Sequence, residues 1–138
     1  MKRLITTILI AASAFSSWAD GQKDSNHCPD AASMGARELQ GRWRATIQGL
    51  PESRLQLGPH PEMSESVFGT VQRGGTTAQV AGDVDDGALT LEESEDGKRI
   101  SATWLGDVVE GSCGAEIRGT WSSAAAPDQQ IPFTLRKP

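Results

Sequence analysis

Few side chains in this sequence are of a type that performs chemistry, and their placing limits what they can do. The histidines are His27 and His60. Ser/His/Asp catalysis needs a base held within hydrogen-bond reach of its nucleophile. His27 falls in a polar arm, and His60 lies between Pro59 and Pro61 in a loop, so neither is held that way. Adjacent carboxylates occur at Asp85-Asp86 and Glu92-Glu93. They are read as turn residues that water solvates, which is not the setting of a general acid. The expectation is a protein that is not an enzyme and needs no cofactor; an enzyme of unknown reaction, resting on a buried His60 bonded to Ser or Asp, is an alternative. A minor alternative is a metal site in which His27 and His60 join the Asp83/Asp85/Asp86 turn, with Met63 as a soft ligand. Solvated loop residues are the preferred reading. Asp83-Val84-Asp85-Asp86-Gly87 resembles the start of a calcium loop but lacks the bidentate Glu at loop position twelve, so a hairpin turn accounts for it better.

Cys28 and Cys113 are the two cysteines. Residues 1–19 read as a secretory leader: Met-Lys-Arg, then a short apolar run, then Ser17-Trp18-Ala19 as the cleavage site. The apolar run is about half of the roughly 20 residues a membrane span needs, so no span is expected after its removal. The implied location is periplasmic or secreted. In an oxidising compartment two cysteines pair, so a Cys28–Cys113 disulfide is expected. There is no Cys-x-x-Cys and no basic neighbour to support a reactive thiolate.

The elements that must position these residues follow from hydrophobic spacing. Of 138 residues, 20–40 read as an arm with a short helix at 29–40, and 41–138 as one β domain. After Gly41 apolar residues recur with period two, and turn residues separate the runs. The expected strands are 42–48, 53–57, 65–73, 76–82, 88–92, 98–105, 112–121 and 131–136. Their inward sets include Trp43, Ala45 and Ile47; Leu55 and Leu57; Val67, Gly69 and Val71; Leu89 and Leu91; Ile100, Ala102 and Trp104; Cys113, Ala115, Ile117, Gly119 and Trp121; and Phe133 and Leu135. Phe68 has the opposite parity. Short links between successive strands imply antiparallel neighbours. Eight strands can close, so the predicted fold is all-β, an eight-stranded antiparallel up-and-down barrel with a short N-terminal helix; an open β-sandwich is the alternative. Strand directions put the starts of strands 1 and 7 at one end, which the disulfide and helix would cap. The loops near 49–53, 73–75, 93–97 and 122–130 would rim the other.

Gly41-Arg42-Trp43, opening the first strand after a short helix, resembles the Gly-x-Trp signature of lipocalins. Gly119-Thr120-Trp121 repeats it. Arg136 ends the last strand, beside the first if the barrel closes. The chain is therefore similar to the calycin superfamily of lipocalins, fatty-acid-binding proteins and avidins. That resemblance implies a basic residue packed over the first-strand Trp. Avidin-type biotin binding is not carried over, because Tyr is absent and the inward residues hold almost no polar groups.

The formal charge is −5, or −7 once Lys2 and Arg3 leave with the leader. It argues against nucleic acid as a partner. Trp43, Trp104 and Trp121 alternate with small inward residues, which suits a filled core. The same three are the candidate lining of a cavity for a small apolar ligand. The expected function is that of an exported binding protein. Its partner would be such a molecule in the barrel mouth or a protein on the loop rim. An inhibitor of a cationic enzyme such as lysozyme is an alternative, by analogy of size, leader, disulfide and charge.

Overall fold

The computed structural model describes residues 28–138. The leader, the arm to residue 27 and His27 lie outside the described residues. From Gly41 onward, alternation of apolar and polar side chains produces strands with one dry face each. They are β1 (Gly41–Ile47), β2 (Ser53–Pro59), β3 (Val67–Arg73), β4 (Thr76–Asp85), β5 (Ala88–Ser94), β6 (Ala102–Val108), β7 (Glu116–Ser123) and β8 (Ile131–Arg136). Each pairs antiparallel with the next. β8 returns to β1 with Arg44 opposite Arg136 and Ile47 opposite Phe133, so the barrel is closed in the order β1 to β8. This is the expected up-and-down barrel, and the open sandwich is set aside.

The inward set forms one core. Trp43, Ala45, Ile47, Leu55, Leu57, Val71, Leu91, Trp104, Ile117 and Leu135 are all within 2% of complete burial. Phe68, on the other parity, faces out and is 37% exposed. Closing so small a barrel requires sharp bends, and inward-facing glycines supply them. A Cβ at Gly69 would overlap the Gln56 carbonyl oxygen, and one at Gly119 would overlap that of Leu105. The neighbouring strand thus passes through the space a side chain would take.

Three local expectations are corrected. The helix predicted over 29–40 is a 3-10 turn (Ala31–Ser33) followed by one α-helical turn, α1 (Ala36–Leu39), with Gly35 extended between them. A Gly inside so short a run outweighs the favourable Ala, Met and Leu around it. Strand 6 begins at Ala102, leaving Ile100 in the preceding loop and 50% exposed. Strand 7 begins at Glu116, so Cys113 and Ala115 precede it; Cys113 sits in a turn with φ 58°.

The disulfide nevertheless joins Cys28 to Cys113 across 85 residues. It draws the N-terminal segment over the barrel end where β1, β3, β5 and β7 start. Met34 and Leu39 plug that end, and Met34 packs on Gly114 beside the disulfide. No helix among the described residues is long and apolar enough to cross a membrane.

Candidate functional site: the barrel mouth and the capped-end groove

At the uncapped end the alternation of three strands delivers polar side chains to the inside. Ser53 opens β2, Arg73 closes β3 and Glu93 lies next to the end of β5. Glu93 is 3% exposed and Ser53 fully buried. Arg73 meets Glu93 through two guanidinium nitrogens, at 2.8 and 3.3 Å, and its Nε donates to the Ser53 hydroxyl at 2.8 Å. The indole N–H groups of Trp104 and Trp121 both donate to Glu93 Oε1, at 2.8 and 3.1 Å. The Arg73 guanidinium also stands over both rings, 5.9 Å from Trp104 and 5.1 Å from Trp121. Phe133 packs edge-on against Trp104 at 4.9 Å. The carboxylate therefore has four donors, and the donors that would be orphaned in an apolar interior are satisfied.

This corrects the assignment of Glu93 to a solvated turn. Glu92, its neighbour, is the exposed member of the pair, while Glu93 is buried because it continues the inward parity of Leu89 and Leu91. Arg73 continues Val67 and Val71 in the same way, and Ser53 precedes Leu55 and Leu57. Extending each period-two run by one step would have found all three. What no single strand revealed is that they converge at one end.

Trp43 is separate from this cluster. It lies at the capped end, where its indole N–H donates to the Leu39 carbonyl at 2.8 Å. The basic residue over its ring is not Arg136. It is Lys137, whose Nζ stands 5.1 Å from the ring centroid and donates to the Glu38 carbonyl. Arg136 has outward parity and pairs with Glu116 at 2.7 Å on the outer wall. The three tryptophans are thus all inside, but only Trp104 and Trp121 share a site. No family model matches this chain, and no curated protein matches it.

The clefts lie elsewhere. A groove of about 870 Å3 at the capped end runs between α1, the β2–β3 loop and the end of β4. Glu38, Glu65, Asp83 and Asp85 line it, with Arg37 as its one cation. Glu38 accepts a hydrogen bond from the Gly35 N–H, which holds its carboxyl below the usual range. Smaller clefts of about 190 to 410 Å3 lie along the walls, and neither Trp104 nor Trp121 lines any of these five. His60 is half-buried at the groove end of the barrel. Its Nδ1 accepts from the backbone N–H groups of Glu62 and Met63, and its ring meets the edge of Phe68. Among the described residues no three His, Cys, Asp or Glu side chains converge as a metal ion would require.

Proposed function

We propose that this is an exported, non-enzymatic binding protein of calycin-like build that engages a cationic protein with its exterior. The observation that carries this reading is the occupied mouth. The place where a small apolar ligand would enter holds the Arg73–Glu93 pair and two indoles bonded to it. Admitting an apolar molecule there would break a buried ion pair and strand its partners, which is costly. The acid-lined groove at the capped end supplies the complementary surface. Carboxylates rimming a concavity attract and orient a basic partner, and they raise its association rate. The leader and the disulfide support export. The calycin likeness rests on the closed eight-stranded barrel and on the cation that covers the first-strand Trp.

The test is calorimetric titration with a cationic lysozyme at low and high salt. Binding that weakens with salt, and weakens about tenfold or more in an Asp83→Lys/Asp85→Lys variant, is expected. No binding at low salt would overturn the cationic-partner reading. An apolar molecule extracted from the native protein in near-equal amount would restore the mouth as the site.

A further inference from the structure

The outer wall formed by β8, β1 and β2 carries the reverse charge to the groove. In register, Arg54 of β2 lies directly across from Arg44 of β1, and Arg44 lies directly across from Arg136 of β8. Three guanidinium groups thus occupy one row across three adjacent strands, with Cβ atoms of neighbours about 5 Å apart. Arg42 stands two residues along β1 on the same face. Like charges placed directly opposite destabilise a sheet, and nothing in the packing requires these, since all face solvent. Arg44 and Arg54 are 61% and 72% exposed. Their compensation is thin. One carboxylate, Glu52, approaches both, at 3.9 and 4.0 Å. Glu116 is shared between Arg118 and Arg136. Among the described residues no carboxylate pairs with Arg42. A net positive face has therefore been kept on a chain whose formal charge is −5.

Beside the row lies a cleft of about 410 Å3 lined by Arg42, Arg44, Arg54, Gln56, Thr70 and Gln72, together with parts of Trp43, Leu55 and Pro138. Its polar lining is guanidinium, amide and hydroxyl, beside an apolar part of comparable extent. The exposed large apolar side chains of the described residues are Met63, Phe68, Ile100 and Leu105, and none lies on β8, β1 or β2. The wall of β8, β1 and β2 thus lacks the aromatic platform on which single-stranded nucleic acid stacks, the exposed ring of Phe68 standing on the neighbouring β3. It lacks the apolar anchors that dominate protein interfaces and the apolar face that enters a membrane. Arginine forks match the oxygens of sulfate, phosphate and carboxylate groups, and the amides and hydroxyls suit sugar hydroxyls. We propose that the β8–β1–β2 wall is a docking face for an anionic polysaccharide, read by the Arg54–Arg44–Arg136 row together with Arg42.

Heparin serves as the probe, titrated calorimetrically into the full-length protein at low salt. An Arg44→Ala/Arg54→Ala variant should bind about tenfold more weakly or worse, with a thermal midpoint equal to or above that of the parent because a like-charge pair is gone. A Lys98→Ala/Arg99→Ala variant removes the same charge from a loop at the uncapped end and should bind as the parent does. The proposal is overturned if the Arg44/Arg54 variant keeps the parent affinity or if the loop variant loses as much. It is equally overturned if a DNA oligomer, an acidic protein or anionic vesicles bind this wall more tightly than heparin. Asp83 and Asp85 lie on β4, outside this wall, and are untouched by these changes. Failure here therefore leaves the lysozyme titration, and the reading it tests, standing on its own result.

Discussion

Glu93 shows how much one buried carboxylate can depend on its neighbours. It accepts from the Arg73 guanidinium and from the indoles of Trp104 and Trp121, while Arg73 also engages Ser53. Removing the carboxylate alone leaves a cation 18% exposed at the mouth and two buried indole donors without an acceptor. Glu93→Leu should therefore cost about 3–5 kcal/mol. Arg73→Met should cost less, because both indoles still bond the carboxylate. Replacing both by apolar groups removes the stranded partners, so the double variant Arg73→Met/Glu93→Leu should lose clearly less than the two single losses added together. Urea unfolding with a constant m-value measures all three. A strictly additive outcome would mean that the two groups do not stabilise one another. The sequence already contained this site in part. Parity placed both side chains inward, but their adjacency to turn residues suggested solvation, and pairing across two intervening strand boundaries is a property of closure that no strand displays alone. Trp104 and Trp121 were legible as interior, whereas their shared acceptor was not.

At the scale of elements, strands were the legible part and their ends were not. Period-two spacing sets which face is dry, and that signal survives in every strand from Trp43 to Leu135. The boundary errors share one physical origin. Ile100 and Cys113 continue the apolar parity of the strands that follow them, but the chain there turns, and a left-handed backbone at Cys113 ends any ladder. The helix at 29–40 failed for the opposite reason. Residues with good helical propensity cannot sustain a helix when Gly35 interrupts a run too short to nucleate twice. Glycines within strands carried a meaning that alternation hides. Gly106 and Gly119 are direct partners on β6 and β7, at a bend where the two backbones nearly touch. Gly119→Ala would set its methyl group onto the Leu105 carbonyl, so the strands must separate or the bend must flatten. A loss of roughly 1–3 kcal/mol is expected from such overpacking. Hydrogen exchange should show β6 and β7 amides losing protection ahead of those in β2 and β3; uniform protection would place the bend elsewhere.

At the scale of the whole molecule, one cross-link ties the cap to the barrel. The Cys28–Cys113 bond spans 85 residues, and all of β1 through β6 lies within that loop. On the loop-entropy account, closing so long a loop in the unfolded chain is worth about 4–5 kcal/mol. The folded side of the balance is local. The bond holds the segment that carries Met34 and Leu39 into the barrel end, and Trp43 bonds the Leu39 carbonyl there. A Cys28→Ser/Cys113→Ser variant should therefore lose stability globally and order selectively. Its unfolding free energy in water should fall by about 4–5 kcal/mol, with a correspondingly lower denaturant midpoint. In the native state, exchange protection should drop around Met34 to Gln40 while the Arg73–Glu93 mouth at the far end keeps its own. The acid-lined groove is built partly from that same segment, through Glu38 and its neighbours, so lysozyme binding should weaken in the variant. Heparin binding should weaken less, because Arg44, Arg54 and Arg136 are held in one row by the β8–β1–β2 ladder itself, and the cap meets β1 through the Trp43 bond to Leu39. Equal losses of both would mean that the barrel is deformed as a whole when the cap is released, and that the two charged faces are not independent.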